Sequence, residues 1–207
     1  MTQPQTVGQS LWTWLFNPFH YVAGGAALIT GMAAVAVASL NGSLIHGHFD
    51  GVLDFHLGTP MPAWFYLFEG AVDWLTMGAL LYGAGWALSD SRFRAIDVFG
   101  TQALARVQTL LVVPVAMLPG FQRQLARLMA GNPEVYSLDI AAFAFAAIVT
   151  IGALVWMVVL MYRGFSVSCN VRGAKAIVTF AAALLLGEIV SKIVLIQAMY
   201  AVMRSGA

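Results

Sequence analysis

The sequence is poor in charge. Only 9% of its 207 residues are charged, while 60% are hydrophobic, and a soluble domain usually carries about 25% charged residues. So few charged side chains cannot cover a water-facing surface, which argues against a water-soluble protein. The net charge of +1 is too small to indicate a polyanionic partner, so we predict that the chain does not bind nucleic acid.

Cysteine and the common catalytic motifs are also scarce. Cys169 is the only cysteine, and one thiol can form neither an intrachain disulfide nor a cysteine metal cluster. The sequence has no nucleotide-binding loop of the form G-x-x-x-x-G-K-[ST] or G-x-G-x-x-G, no G-x-S-x-G and no H-E-x-x-H. No histidine lies in the middle of a hydrophobic block, where a haem ligand would be expected. We therefore predict a protein that is not an enzyme and has no cofactor.

What the sequence has instead is a series of long hydrophobic blocks. A helix that spans a bilayer needs about 20 mostly apolar residues, and each such segment must be helical because lipid offers its backbone no hydrogen-bond partner. Five segments qualify: 23–40, 63–88, 102–118, 140–162 and 176–203. We predict an all-α integral membrane bundle with about five transmembrane helices, which form a single domain over residues 23–207.

The third of these segments is the most polar. It contains Gln102, Arg106 and Gln108, and its Pro114 removes the backbone hydrogen bond to the carbonyl of Leu110. We expect this segment to tilt, bend or lie deep inside the bundle.

Two further segments are typical of a membrane surface. Residues 1–22 are expected to form an interfacial N-terminal segment, because aromatic side chains such as Trp12, Trp14 and Phe19 gather where membrane meets water. A short interfacial helix is expected within it, and the alternative is an arm that binds a soluble partner. Residues 119–131 place four apolar side chains on one face at helical spacing, which predicts a second interfacial helix.

The basic residues are unevenly distributed between the loops. Cytoplasmic loops collect Lys and Arg. The loops after the second and fourth segments contain five of them: Arg92, Arg94, Arg163, Arg172 and Lys175. The opposite side has three, Arg123, Arg127 and Arg204, and the loop over 41–62 has none. This bias predicts a multi-pass membrane protein with its N-terminus in the cytoplasm and its C-terminus outside.

Charged residues inside hydrophobic segments are costly in a membrane, so each is a candidate functional residue. Five occur in the predicted helices: Glu69, Asp73, Arg106, Glu188 and Lys192. Glu69 and Asp73 are four residues apart and share a helix face, and we expect this face to meet Arg106 or Lys192. The network either fixes the register of the helices or carries protons or ions, and a third possibility is that its members are wetted at the interface.

The loop over 41–62 concentrates side chains that can bind metal. It contains His46, His48, His56, Asp50 and Asp54, which offer nitrogen and oxygen ligands to zinc or a similar ion. Their spacing matches no zinc motif, so a solvated polar loop is the alternative to a metal site.

The chain resembles a bacterial member of the Yip1-domain family, and this resemblance implies a place in the bacterial cytoplasmic (inner) membrane. The resemblance rests on Phe16-Asn17-Pro18-Phe19 before the first predicted helix, on the five-span layout, and on the segment 92–106, RFRAIDVFGTQALAR, which leads into the third. Eukaryotic members are five-span proteins that bind prenylated Rab GTPases in vesicle traffic. Bacteria lack that machinery and this chain lacks the acidic N-terminal region, so the resemblance implies no Rab role and no catalytic residues.

These observations lead to two functional hypotheses. The first is a non-enzymatic scaffold or accessory subunit, whose partners are membrane lipid and either another membrane protein or further copies of the chain. The alternative is a small transporter or channel subunit that uses the intramembrane carboxylates and cations.

Overall fold

The computed structural model describes residues 10–131 and 137–206, so residues 1–9 of the predicted N-terminal segment lie outside it. Its helices are α1 (Leu11–Phe16), α2 (Gly24–Ser43), α3 (Ala63–Leu88), α4 (Ala95–Leu104), α5 (Thr109–Ala116), α6 (Pro119–Met129), α7 (Ser137–Cys169) and α8 (Gly173–Ser205). A 3-10 turn covers Pro18–His20, and two short strands, β1 (Gly47–His48) and β2 (His56–Leu57), lie between α2 and α3. The predicted all-α architecture is confirmed.

Among the described residues, four helical stretches are long and apolar enough to cross a membrane, namely Gly24–Ser43, Ala95–Ala116, Leu138–Cys169 and Gly173–Ser205. The predicted count of about five is therefore not confirmed. The remaining long helix, α3, has 26 residues and is roughly 39 Å long at 1.5 Å per residue. Its length would suffice for a bilayer, but Glu69 and Asp73 lower its mean hydropathy.

The stretch Ala95–Ala116, which corresponds to the third predicted segment, begins earlier than its hydrophobic block and is interrupted where the sequence did not indicate a break. It starts at Ala95 rather than at residue 102, and it consists of α4 and α5 joined by residues 105–108. In this joint the amides of Arg106 and Thr109 bond to carbonyls three residues earlier, as in a 3-10 helix. Pro114 lies inside α5, so the interruption of the helix falls at the joint, roughly two turns before the proline.

Helix α4 is the centre of the bundle and packs against α2, α3 and α7. Its contact with α2 depends on two glycines. A Cβ at Gly31 would overlap the backbone of Ala103, and one at Gly100 would overlap the backbone of Gly24. The close approach buries the polar residues Thr101 and Gln102 on α4, in agreement with the expectation that this segment lies deep inside.

The two segments expected at the interface are both helical where described. In α1, Leu11 and Trp12 are 78% and 70% exposed, as suits a helix that lies against lipid. Helix α6 packs on α7, where Phe121 stacks on Phe143 and Arg123 forms an ion pair with Asp139.

Candidate functional site

The loop between α2 and α3 folds into the bundle rather than over it. Strands β1 and β2 pair antiparallel, with Gly47 opposite Leu57 and His48 opposite His56. Between them the chain dips inward, so that Val52 is only 1% exposed and belongs to the main hydrophobic core. We call residues 47–57 the inserted loop.

Two carboxylates from the helices hold the backbone of the inserted loop. Glu69 on α3 accepts a hydrogen bond from the amide of Phe49 at 3.3 Å. Glu188 on α8 accepts one from the amide of Leu53 at 2.9 Å. A buried amide without a partner costs about 1–3 kcal/mol, and irregular backbone inside a membrane bundle is tolerated only when such groups are satisfied. Glu69 and Glu188 therefore have a structural task, which is to make the loop compatible with the interior.

His48 connects the loop to α3 through both ring nitrogens. Its Nδ1 lies 2.7 Å from Glu69 Oε1 and its Nε2 lies 2.8 Å from the carbonyl oxygen of Thr59, while the ring stacks on Tyr66. Burial by itself would lower the pKa of His48, but the hydrogen bond and the charge of Glu69 outweigh it and raise the pKa. Because a carbonyl and a carboxylate both accept, the doubly protonated ring satisfies both contacts.

Farther out, Lys192 on α8 binds the inserted loop. Its Nζ lies 2.5 Å from Asp54 Oδ2 and 3.6 Å from Glu188 Oε1. Asp50 and His56 form a second pair at 3.4 Å within the loop, and the interaction with this carboxylate raises the pKa of His56. The contact of Lys192 with Asp54 ties the partly exposed rim of the loop to α8.

The predicted metal ligands are divided by the fold. Asp50, Asp54 and His56 place one ligand atom each within 4.8 Å of one another, and we call these three residues the outer cluster. His48 is engaged by Glu69, and neither it nor His46 belongs to the cluster. Two carboxylates and one imidazole suit a divalent cation, but the ammonium of Lys192 already neutralises Asp54.

Beneath the inserted loop, Asp73 on α3 faces Arg106 in the joint between α4 and α5. The two residues are 0% and 3% exposed, and both line a cavity of about 10 Å³ together with Ser39 and Thr109. Ser191 lies beside Asp73, but its hydroxyl donates to the carbonyl of Glu188 at 3.4 Å. Within the described residues, both carboxylate oxygens of Asp73 and the Nε and Nη2 of Arg106 have no hydrogen-bond partner.

A second cavity of about 10 Å³ is also lined by Arg106. It is lined by Asp54 of the loop rim and by Gln108, whose side-chain amide has no partner among the residues described here. Each cavity has the size that holds about one water molecule, and the buried polar atoms around it offer the contacts that such a water needs. Polar groups thus follow one another from Asp54 at the rim, past Arg106, to Asp73 in the interior.

The five intramembrane residues predicted from the sequence therefore divide into two sets. Glu69, Glu188 and Lys192 bind the inserted loop, which sequence reasoning did not foresee, because it paired the carboxylates of α3 with cations. Asp73 and Arg106 remain and face each other, and we call them the Asp73–Arg106 centre. Ser191 and Gln108 were not predicted as site residues. The signal that could have found them is that both are neutral polar residues within apolar segments.

Compared with known proteins, the chain matches no family model, no curated protein and no solved structure. The resemblance to the Yip1-domain family stays a prediction.

Proposed function

We propose that this chain is a non-enzymatic membrane protein that moves protons, with Asp73 as the proton-carrying carboxylate and Arg106 as its fixed counter-charge. The observation that supports this most is the state of Asp73. Its carboxylate is fully buried and accepts no hydrogen bond from the described residues, although an ionised carboxylate in a low-dielectric interior normally requires several. A carboxylate that serves only to fix the helices would be expected to have such partners, as Glu69 and Glu188 do.

The arrangement around Asp73 suits proton transfer from the side of the inserted loop. Asp54 and Lys192 are each 37% exposed and can exchange protons with water at the rim. One water in each of the two cavities beside Arg106 would shorten the steps between Asp54 and Asp73. The guanidinium of Arg106 balances the charge of ionised Asp73 and repels a free cation. A proton that binds Asp73 leaves a neutral carboxyl, whereas a metal ion would stay charged beside Arg106, so the centre suits protons better than metal ions.

The test is proton flux into liposomes that contain the purified protein and a trapped pH-sensitive dye. A potassium gradient with valinomycin imposes the driving potential. We expect wild-type liposomes to acidify faster than protein-free liposomes, and Asp73→Asn to reduce the rate to the protein-free level, because the amide keeps the shape but cannot carry a proton.

The matched control is Asp90→Asn, since Asp90 is exposed in the turn after α3 and undergoes the same chemical change. It should retain the wild-type rate. A wild-type rate equal to that of protein-free liposomes, or equal rates for wild type and Asp73→Asn, would contradict the proposal.

A second candidate function is the scaffold or accessory subunit that binds another membrane protein. Its support is the exposure of the two longest helices, since only 22% of the most apolar stretch of α7 and of α8 is buried. A photo-reactive residue at Ile193 of α8, which is 58% exposed, would form one discrete protein adduct in native membranes under this proposal. A lipid-facing helix would give only lipid adducts.

We also propose how the chain lies in the membrane. We place α3 as a fifth crossing, since it packs between α2 and α8, and we place the chain in a bacterial inner membrane with the N-terminus inside. The structure supports the sidedness in one respect: Asn170 donates to Ser91 at 3.0 Å. The two loops richest in basic residues therefore lie at the same end of the bundle.

A further inference from the structure

A polar pocket of about 500 Å³ lies at the end of the bundle where α7 turns into α8. Its walls come from the turn after α1, from the last two turns of α7 and from the start of α8. The polar side chains in this wall are Asn17, His20, Arg163, Ser166, Asn170 and Arg172. None of the lining residues is acidic, so the pocket is electropositive.

The positive charge of this pocket is not neutralised by its surroundings. Arg163 and Arg172 are exposed, and neither forms an ion pair with a carboxylate in the described parts of the chain. Arg172 is also the N-cap of α8, and its side chain does not cap the helix. The first amides of α8 therefore add their partial positive charge to that of the two arginines.

Two hydrogen bonds fix the segments that form the walls of the pocket. The hydroxyl of Ser166 donates to the carbonyl of Val171 at 2.7 Å and fixes the turn between the helices. The indole of Trp156 donates to the carbonyl of Leu15 at 2.7 Å and holds the N-terminal segment against α7. These contacts keep the opposite walls of the pocket in place.

An apolar groove of about 460 Å³ continues from the pocket along the seam between α7 and α8. Tyr162 and Arg163 line both cavities, and the rest of the groove is apolar: Val158, Val159, Ile177, Phe180, Ala181 and Leu184. On α8 these residues cover eight positions, roughly 11 Å of helix. Ile177 is 56% exposed, so the groove opens sideways on two helices that are long and apolar enough to cross a membrane.

We propose that the pocket and the groove together bind one anionic glycerophospholipid. Its phosphate would lie between Arg163 and Arg172, and one acyl chain would occupy the groove from Tyr162 to Leu184. A soluble phosphate would use only the polar half, and a peptide would not explain a groove that opens towards the bilayer. Basic pockets next to membrane-crossing helices recognise acidic headgroups in this way. This inference is independent of the Asp73–Arg106 centre, which lies elsewhere in the bundle.

The test compares lipids that share acyl chains and differ only in the headgroup. Detergent-purified full-length protein is titrated with phosphatidylglycerol or with phosphatidylcholine, and the bound lipid is counted by native mass spectrometry. We expect one phosphatidylglycerol to bind in preference to phosphatidylcholine. Arg163→Gln with Arg172→Gln should weaken its binding by about 30-fold, since each arginine near an acidic headgroup contributes roughly a factor of five.

Two further variants make the result specific. Arg92→Gln with Arg204→Gln removes the same charge from two exposed arginines outside the pocket and should leave binding unchanged. Ala181→Trp fills the groove from an exposed position and should weaken phosphatidylglycerol binding while the melting temperature without lipid is retained.

Three results would overturn the proposal. The first is equal binding of phosphatidylcholine and phosphatidylglycerol, which indicates annular lipid without headgroup recognition. The second is equal loss of binding in the pocket variant and in the Arg92/Arg204 control, which indicates a diffuse charge effect. The third is thermal stabilisation by inorganic phosphate that matches stabilisation by the lipid and is unaffected by Ala181→Trp, which indicates a soluble anion site.

Discussion

Replacing Asp73 by leucine is the most informative perturbation of the buried centre. It removes the carboxylate opposite Arg106, a residue that is 3% exposed and has two guanidinium nitrogens without partners among the described residues. Removal of one member of a buried ion pair typically costs about 3–5 kcal/mol, because the other charge stays buried alone. At about 2–4 °C per kcal/mol for a chain of this size, the apparent melting temperature should fall by roughly 6–20 °C.

The second half of the experiment identifies the partner. Because a buried ion pair can often be replaced by apolar residues at little cost, Asp73→Leu with Arg106→Leu should regain part of the loss, with a coupling of about 1–3 kcal/mol. Lys192 is the other nearby cation, but it already binds Asp54 and Glu188. Asp73→Leu and Lys192→Leu should therefore be additive within about 0.5 kcal/mol.

The assay is unfolding by a denaturing detergent in mixed micelles, followed by tryptophan fluorescence for the wild type, the three single variants and the two double variants. Strict additivity of Asp73→Leu with Arg106→Leu would refute the pairing. A coupling to Lys192 that exceeds the coupling to Arg106 would show that the carboxylate faces α8 instead.

Three other outcomes follow from the site. Because the pKa of His48 is raised above its usual value of 6.5, its contact with Glu69 stabilises the inserted loop fully below about pH 6.5. That stabilisation is lost as the pH rises through the folded-state pKa. The protection factors of the amides in residues 47–57, which are corrected for the base-catalysed intrinsic exchange rate, should therefore be lower at pH 9 than at pH 6, with a smaller difference in His48→Gln. Alkaline phosphatase should be active when fused to the C-terminus and inactive when fused after Asn170. Reversed activities would contradict the proposed membrane orientation. Because Lys192 neutralises part of the outer cluster, elemental analysis after dialysis against trace zinc should find less than about 0.1 equivalent of zinc per chain. One equivalent of zinc that is lost in His56→Ala would instead support the metal site.

The helices could be predicted because their apolar blocks are long and nearly free of charge. The span count is not confirmed because α3 combines helical length with two carboxylates, and composition does not settle whether such a helix crosses a membrane. The start of α4 was predicted too late, since residues 95–101 include Asp97 and Thr101 and so lie outside the apolar block. The buried ones among them are covered where α4 packs against α2, and the sequence of α4 alone does not indicate this contact.

The charged residues could also be found from the sequence, but most of their partners could not. Glu69 and Glu188 bind backbone amides of the inserted loop. The pattern of side chains in a sequence does not indicate which backbone amides a carboxylate will bind. The contact between Lys192 and Asp54 joins residues 138 positions apart. The contact of Glu188 with Lys192 follows from their spacing of four residues on one helix, and the pairing of Asp73 with Arg106 was among the alternatives because both residues are charges within apolar segments.

The proposed path to the Asp73–Arg106 centre depends on an inserted loop that is folded into the bundle, with Val52 in the hydrophobic core. The direct test is labelling of Val52→Cys in intact membranes by a bulky, water-soluble maleimide, with Leu44→Cys as the exposed control. Val52 is 1% exposed and Leu44 is 69% exposed, and the native Cys169 is buried, so it provides a protected reference thiol. We expect that Leu44→Cys is labelled rapidly, whereas Val52→Cys stays as unreactive as Cys169 until the protein is unfolded. Labelling of Val52→Cys at the rate of Leu44→Cys in folded protein would contradict it.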